Sequence, residues 1–243
     1  MPLPFVSVVT PTCDRREFWH MTIHLMQKQT YPKNRLEWII LDDGKDSIQD
    51  MVEHIPYVKY IRSEEKMLIG KKRNMLNAAA KGEYIISWDD DDYYPAMRIS
   101  HAIKSLSSKP NFQLAGTSRI FMYYTDNEEI YEIGPYNQNH STNGTFVVRK
   151  SFANAHTYDE TVTHAEERSF LDDFKYPILQ LDTEKTILVI AHTQNTFDKR
   201  PLRSRNMQKF ELTRLKLKSM VKDKKALAFY RQLTARHSAE KKE

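Results

Sequence analysis

The sequence predicts an α/β fold: a mostly parallel central sheet flanked by helices, followed by a helical C-terminal extension. Three observations point there. Short, near-continuous apolar runs alternate with helical patterns through the first half, the mark of parallel βαβ units with both sheet faces covered. Two of those runs end in clusters of aspartate, at the strand ends where an open parallel sheet holds its ligands. The charge also changes sign near residue 200. From position 201 onward there are 13 Lys+Arg against 4 Asp+Glu, a balance of +9 within an overall +5, which leaves −4 for the first 200 positions.

The elements follow in order. "FVSVVT" (Phe5–Thr10) opens the sheet, and a helical pattern covers Arg15–Gln29. Strands are predicted at Leu36–Leu41, Val58–Ile61 and Tyr84–Trp88, with helices Ser47–His54 and Lys71–Lys81 between them. A further helix follows Pro95, because proline suits a first helical turn. In the second half, Arg119–Tyr124 and Ile130–Gly134 flank the polar "TDNEE" and predict a hairpin with a longish loop. Thr145–Arg149 and Thr186–Ala191 read as strands, and Glu166–Phe174 as a short helix. From Arg203 to about Arg236 a basic helical pattern carries Phe210, Leu217, Val221 and Phe229 among its apolar positions.

Composition excludes several classes. With 243 residues the chain can bury a sizeable core. No apolar run approaches the ~20 residues of a membrane helix, and "MPLPFVSVV" has neither the basic start nor the long apolar core of a signal peptide. Cys13 is the one cysteine. An intrachain disulfide framework and cysteine-based zinc sites are therefore absent, and a reducing, cytoplasmic setting is expected. Neither GxGxxG nor a Walker A motif occurs. His20 and His24 lie one helical turn apart without the carboxylate of an HExxH motif, and read as ordinary helix residues.

The chemistry gathers at the strand ends. Asp42-Asp43-Gly44 closes the second strand, Asp89 to Asp92 the fourth, and "PTCDRR" follows the first. Four adjacent carboxylates repel one another and cost stability unless a cation meets them. Hard divalent cations, Mn²⁺ or Mg²⁺, take oxygen ligands from one or two carboxylates and a substrate's phosphates. Strand alternation places Asp89 and Asp91 on one face and Asp90 on the other. After Gly70, a helix begins with Lys71, Lys72 and Arg73. Cations there oppose the helix dipole, which makes sense if an anion binds nearby.

These motifs resemble a known family. "VSVVTPTCDRREF", "EWIILDDG", "GKKRNMLNAAAKGEYIISWDDDDYYP", "AEERSFLDD" and "VIAHTQN" stand in the order and spacing of glycosyltransferase family 2, the inverting GT-A enzymes, from about Val6 to Asn195. The resemblance implies a GT-A, Rossmann-like nucleotide-binding domain over 1–200. Its half 1–95 would hold the donor and 96–200 the acceptor, with 201–243 as a basic extension. It implies a UDP-sugar donor, Mn²⁺ (or Mg²⁺), and a glycan or glycoprotein acceptor. By position, Pro11, Thr12 and Asp14 would line the donor nucleotide, and Asp42 or Asp43 would meet the base or ribose. Lys72 and Arg73 would meet the base or diphosphate. Asp89 and Asp90 fall on the donor side. Asp91, with Asp89 and His192, would hold the metal, with Asp92 in reserve. Glu167 would be the general base, with Glu166 in reserve. Cys13 and Asp14 stand where the family usually has tyrosine and asparagine, and Glu167 where it usually has aspartate.

Two rivals carry distinct expectations. A sugar-1-phosphate nucleotidyltransferase would show a glycine-rich loop after its first strand, and "TPTCDRR" has none. A nucleic-acid-binding module would act through the basic extension, against repulsion from the acidic body. No nucleic acid is expected. The extension is instead expected to be a solvated helix face, or to pack on the body, dimerise the protein or rest on a membrane surface, and after its removal beyond residue 202 a transferase is expected to retain donor hydrolysis if the rest still folds. Tyr123, Tyr124 and Tyr136 are candidates for stacking on an acceptor ring.

Overall fold

The computed structural model describes residues 2–204 and 209–240. The chain begins as an alternating α/β unit: β1 (Val6–Thr12), α1 (Arg16–Gln27), β2 (Leu36–Asp42), α2 (Gln49–Val52), β3 (Val58–Arg62), α3 (Ile69–Ala79) and β4 (Tyr84–Ser87). Period-two alternation divides the strand residues between two layers. Val8, Trp38, Ile40 and Ile86 pack with Phe18 and Leu25 of α1. Val9, Ile39, Leu41 and Ile85 pack on the opposite side with Leu76 of α3. That is why these strands read as unbroken apolar runs.

Next come α4 (Arg98–Ser107), β5 (Leu114–Gly116), β6 (Ile120–Tyr124), β7 (Glu129–Ile133), β8 (Val147–Arg149), α5 (Lys150–Ala155), α6 (Glu167–Phe170), β9 (Leu179–Gln180) and β10 (Leu188–Ala191). The main sheet has the order β3-β2-β1-β4-β8-β5-β9. β1 is parallel to both β2 and β4. The chain therefore moves outward from β1 to β3 and then returns to the other side of β1, which opens a crevice at the carboxyl ends of β1 and β4. β8 runs antiparallel to both β4 and β5, so the sheet is mixed rather than parallel throughout.

The predicted hairpin forms as β6 and β7, but in a second sheet of order β10-β6-β7-β11, where β11 is Phe210–Leu212. Tyr123 and Tyr124 are buried there, which removes them as ring-stacking candidates. Two predicted helices are shorter than expected. The one at 47–54 is a single turn, and the one at 166–174 stops at Phe170, before Asp172, Asp173 and Phe174 take positive φ.

The C-terminal segment departs most from the sequence reading. Of the stretch expected to be helical from Arg203, Phe210–Leu212 forms a strand against β7. Positions 205–208 of that stretch lie outside the described residues; among the described residues after Phe210, α-helix begins at α7 (Leu217–Met220) and continues in α8 (Lys224–Glu240). Nor is the segment an appendage. Leu217, Val221, Ala226, Tyr230 and Leu233 are buried in the main core cluster. The Tyr123 hydroxyl meets Thr234 Oγ1 at 3.0 Å, and Phe229 packs edge-on against Phe18 at 6.0 Å. Asp223 accepts from the Ala226 amide at 2.8 Å and meets His24 Nε2 of α1 at 3.0 Å, which clips the start of α8 to the body. No helix among the described residues is long and apolar enough to cross a membrane.

Removal of the chain after residue 202 therefore strips side chains from the core and is expected to unfold the protein. Leu233→Ala should cost about 2–5 kcal/mol by urea denaturation. Arg231→Ala, at an exposed position of the same helix, should stay within about 0.5 kcal/mol of wild type.

Candidate active site

The four aspartates at the end of β4 occupy different environments. Asp90 is turned into the body: its Oδ2 accepts from Thr12 Oγ1 at 2.5 Å, and its backbone carbonyl accepts from Thr22 Oγ1 at 2.5 Å. Asp92 is likewise buried and accepts from the Ile190 amide of β10 at 2.7 Å. Burial and the neighbouring Asp91 charge raise Asp90 to about 7 and push Asp92 well above the usual carboxylate range. Asp89 and Asp91 keep charged partners. Arg73 Nη2 lies 3.4 Å from Asp89 Oδ1. Burial works against the Asp91 anion, but the hydrogen bond from His192 and the charges of Lys199 and Arg15 outweigh it and hold its pKa low. The alternation expected of Asp89, Asp90 and Asp91 is thus present, and Asp90 is a tether to β1 and α1 rather than a group open to a donor.

Arg73 joins three distant parts of the chain. It extends from α3, and its Nε donates to Glu166 Oε1 at 2.7 Å while Nη2 faces Asp89. All three side chains are at least largely enclosed, with Arg73 and Glu166 buried. Glu166 follows Ala165, which has φ 55°, so the chain turns sharply just before the acidic pair. Glu167 begins α6 and is half-buried. Burial, reinforced by the Glu166 charge, raises it to about 7. Gly144 closes the other side of Asp89: a Cβ there would stand 2.7 Å from Asp89 Oδ2.

The acids after β1 and β2 build the crevice wall. Asp42 is saturated by the Gly44 amide at 2.9 Å, the Ile48 amide at 3.2 Å and the Tyr60 hydroxyl at 2.7 Å, with Arg62 at 3.4 Å. Asp43 accepts from Lys72 Nζ at 2.6 Å and from the Met67 amide at 2.7 Å. Lys72 is therefore a buried partner of Asp43, not a free cation awaiting phosphate. Pro11 and Thr12 are buried at the end of β1, and the Thr12 hydroxyl is engaged by Asp90 and by Trp19 Nε1 at 3.1 Å. Asp14 is exposed, with φ 52°, and its Oδ1 gathers the Lys45 and Asp46 amides at 2.6 and 3.1 Å. Aspartate and asparagine tolerate this left-handed backbone better than most residues, which accounts for the residue type here. Burial and Asp43 push the Cys13 thiol upward, away from the nucleophilic thiolate.

On the far side, His192 Nε2 and Asn195 Nδ2 each lie 3.1 Å from Asp91 Oδ2. Burial lowers the His192 pKa despite Asp91, which favours neutral imidazole. Among the described residues no three His, Cys, Asp or Glu side chains converge as a preformed metal cage. An anionic Asp91 beside a neutral His192 nevertheless suits a hard or borderline divalent ion, whose remaining positions substrate phosphates and water fill. The residues fit such an ion as a partial site.

Sequence reasoning missed Arg15, Lys199 and Asn195. Arg15 Nη2 lies 3.4 Å from Thr196 Oγ1, and its charge and that of Lys199 act on Asp91. The loop after His192 thus brings positive charge to the aspartates. Phe197 of that loop is among the most exposed large apolar side chains and stacks at 5.9 Å on His164, three residues before Glu167. Arg15 stood in the quoted "PTCDRR". Lys199 carried no signal beyond a basic run.

Residues 7–163 match the family model described as Glycosyl transferase family 2. WcaA of Escherichia coli (strain K12), named for colanic acid biosynthesis, is 29% identical over 102 residues, 40% of this chain and 36% of that protein. TuaG of Bacillus subtilis (strain 168), named for teichuronic acid biosynthesis, is 26% identical over 113 residues, 44% and 43% of the two. Each match thus takes in less than half of the relative's length. Among solved structures, S. aureus TarS 1–349 in complex with UDP-GlcNAc superposes with a TM-score of 0.60 at 18% identity, over 79% of this chain and 60% of that one. The mannosyltransferase PcManGT from Pyrobaculum calidifontis, in complex with GDP-Man and Mn²⁺, superposes with a TM-score of 0.63 at 13% identity, over 81% and 59%. These likenesses show the fold.

Removing the Arg73 charge would leave Glu166 and Asp89 enclosed without their cation. Arg73→Met is expected to lower stability by about 3–5 kcal/mol in urea denaturation. Adding Glu166→Leu to it should recover part of that loss; a double variant no more stable than Arg73→Met would mean the pair is not the cause.

Proposed function

The chain belongs to glycosyltransferase family 2 and has the GT-A fold, and on that premise we propose that it moves a sugar from a UDP-sugar to a hydroxyl of a glycan or glycoprotein, with inversion at the anomeric carbon. The observation that carries the mechanism is the unequal treatment of two adjacent glutamates. Glu166 is locked to Arg73 at 2.7 Å, and Glu167 is raised to about 7. One carboxylate taken by a cation and a neighbour raised toward neutrality divide their roles. Glu166 positions, and Glu167 takes the proton from the acceptor hydroxyl as that oxygen attacks, a contribution of ~10²–10⁴-fold for general base catalysis. Direct displacement needs no protein nucleophile, consistent with a protonated Cys13.

The leaving diphosphate gathers negative charge. Lys199 and Arg15, which already bear on Asp91, offset it from the His192 side. Asp91 and His192, with Asp89 beside them, would hold Mn²⁺ or Mg²⁺, which when bound supplies further charge neutralisation to the diphosphate. The turn fixed by Asp14, Asp42 and Asp43 forms the nucleotide's wall through backbone groups. Phe197 and His164 flank the acceptor side near Glu167. The names of WcaA and TuaG favour a surface-polysaccharide intermediate as acceptor.

Because the base works as the anion, kcat/KM is expected to rise with pH through a midpoint near the raised Glu167 value of about 7. Glu167→Gln should keep UDP affinity while losing about 10²-fold or more in kcat; near-wild-type turnover in that variant would remove Glu167 as the base. Chelation should abolish transfer and Mn²⁺ should restore it. Asp91→Asn should weaken Mn²⁺-dependent UDP binding measured by calorimetry, and full activity in exhaustive chelator would remove the ion from the reaction. Proton NMR of the first product formed should show the anomeric configuration opposite to the donor's.

A further inference from the structure

The C-terminal segment has two faces. Inward, Leu217, Val221, Ala226, Tyr230 and Leu233 enter the core. Outward, Lys216, Lys218, Lys222, Lys224, Lys225 and Arg231 are all exposed. Between Phe210 and Arg236 the acids are Glu211 and Asp223, and Asp223 is turned inward to His24. On α8, positions 224 and 231 fall on one stripe and 225 on another, on either side of the outward face left by the buried stripe 226, 230 and 233, while Arg236 turns to Glu17 of α1 at 3.3 Å. The cations therefore sit on a face held by the fold, not on a loose tail. Four residues before Lys216 in sequence, on β11, Leu212 is the most exposed large apolar side chain among the described residues at 57%.

We propose that this face docks the protein on an anionic lipid bilayer. Clustered lysines attract a negatively charged leaflet, and an exposed aliphatic side chain such as Leu212 can enter the headgroup boundary. Two features favour a bilayer over nucleic acid. The face is lysine-rich, and lysine is a point charge suited to a diffuse negative plane, whereas arginine's planar fork is the one matched to individual phosphates. Single strands are held by exposed aromatic side chains that stack on bases. The exposed large apolar residue here is aliphatic, and Phe229 is packed against the core. Tyr230, on the inner side of the same helix, lies close enough to Asp91 and Asp92 to feel their charge. Docking would thus hold the aspartate crevice about one helix diameter, ~10–12 Å, from the bilayer.

The test is co-sedimentation of the full chain with phosphatidylcholine vesicles, with and without phosphatidylglycerol. Binding is expected only to the anionic vesicles and should fall steeply between about 50 mM and about 0.5 M salt. Lys218→Glu/Lys222→Glu/Lys225→Glu should lower the partition coefficient at least about tenfold, with an unchanged urea midpoint because the three side chains are exposed. Leu212→Ser should remove the binding that survives at high salt. Absence of binding to anionic vesicles, equal binding to neutral ones, or undiminished binding by the triple variant would overturn the proposal. So would tighter binding of a mixed-sequence oligonucleotide at the same ionic strength. None of these readouts depends on transferase activity.

Discussion

The Arg73 guanidinium holds the crevice together. It ties α3 to the end of β4 through Asp89 and to the acidic pair before α6 through Glu166. Glu166 lies 93 positions from Arg73 in sequence, and Asp89 lies 16. Burying a cation between two carboxylates is costly unless each charge is matched. Matched, the arrangement fixes the distance between the end of β4 and the acidic pair before α6. It also biases Glu167. With Glu166 committed to Arg73, the second glutamate sits beside an anion in a partly dry setting, which raises its affinity for a proton.

The aspartate run follows the same logic of unequal partners. Four ionised carboxylates in succession would repel one another, and the fold does not ask for that. Asp90 and Asp92 are buried on Thr12 and on the Ile190 amide, and both shift toward the protonated form. The negative charge left at the crevice belongs chiefly to Asp91, met by His192, Asn195, Lys199 and Arg15, while burial raises Asp89 too, against the pull of Arg73. The run is thus two anchors interleaved with two crevice groups. The anchors tie the β4 end to β1 and β10, which keeps the other two carboxylates from drifting apart.

The C-terminal helix belongs to this scaffold. It backs the aspartates with Tyr230, meets β6 through Thr234 and packs on α1 through Phe229. A basic composition there suggested a separate, solvated extension. In the fold, the lysines and arginines occupy only its outward half, and the intervening apolar residues complete the core of the second sheet. Charge counted along a chain cannot separate these halves, since the burial of a helix face depends on what lies against it.

How far the sequence reached can be judged from particular residues. By itself it determined the β1–β4 unit, because strands buried on both faces must be apolar at every position and must end where their ligands or turns begin. It likewise determined the family, through five motifs in register, and the two-sided spacing of Asp89 and Asp90. It did not determine which charged groups were free. Asp42, Asp43 and Lys72 looked like ligand groups, and the structure spends them on the turn and on each other. Nor did it find Lys199, the second sheet, or the place of α8. The physical reason is common to all of these: alternation and apolar runs are local consequences of backbone geometry, whereas a charge's partner and a helix's covered face are set by contacts between residues tens to hundreds of positions apart.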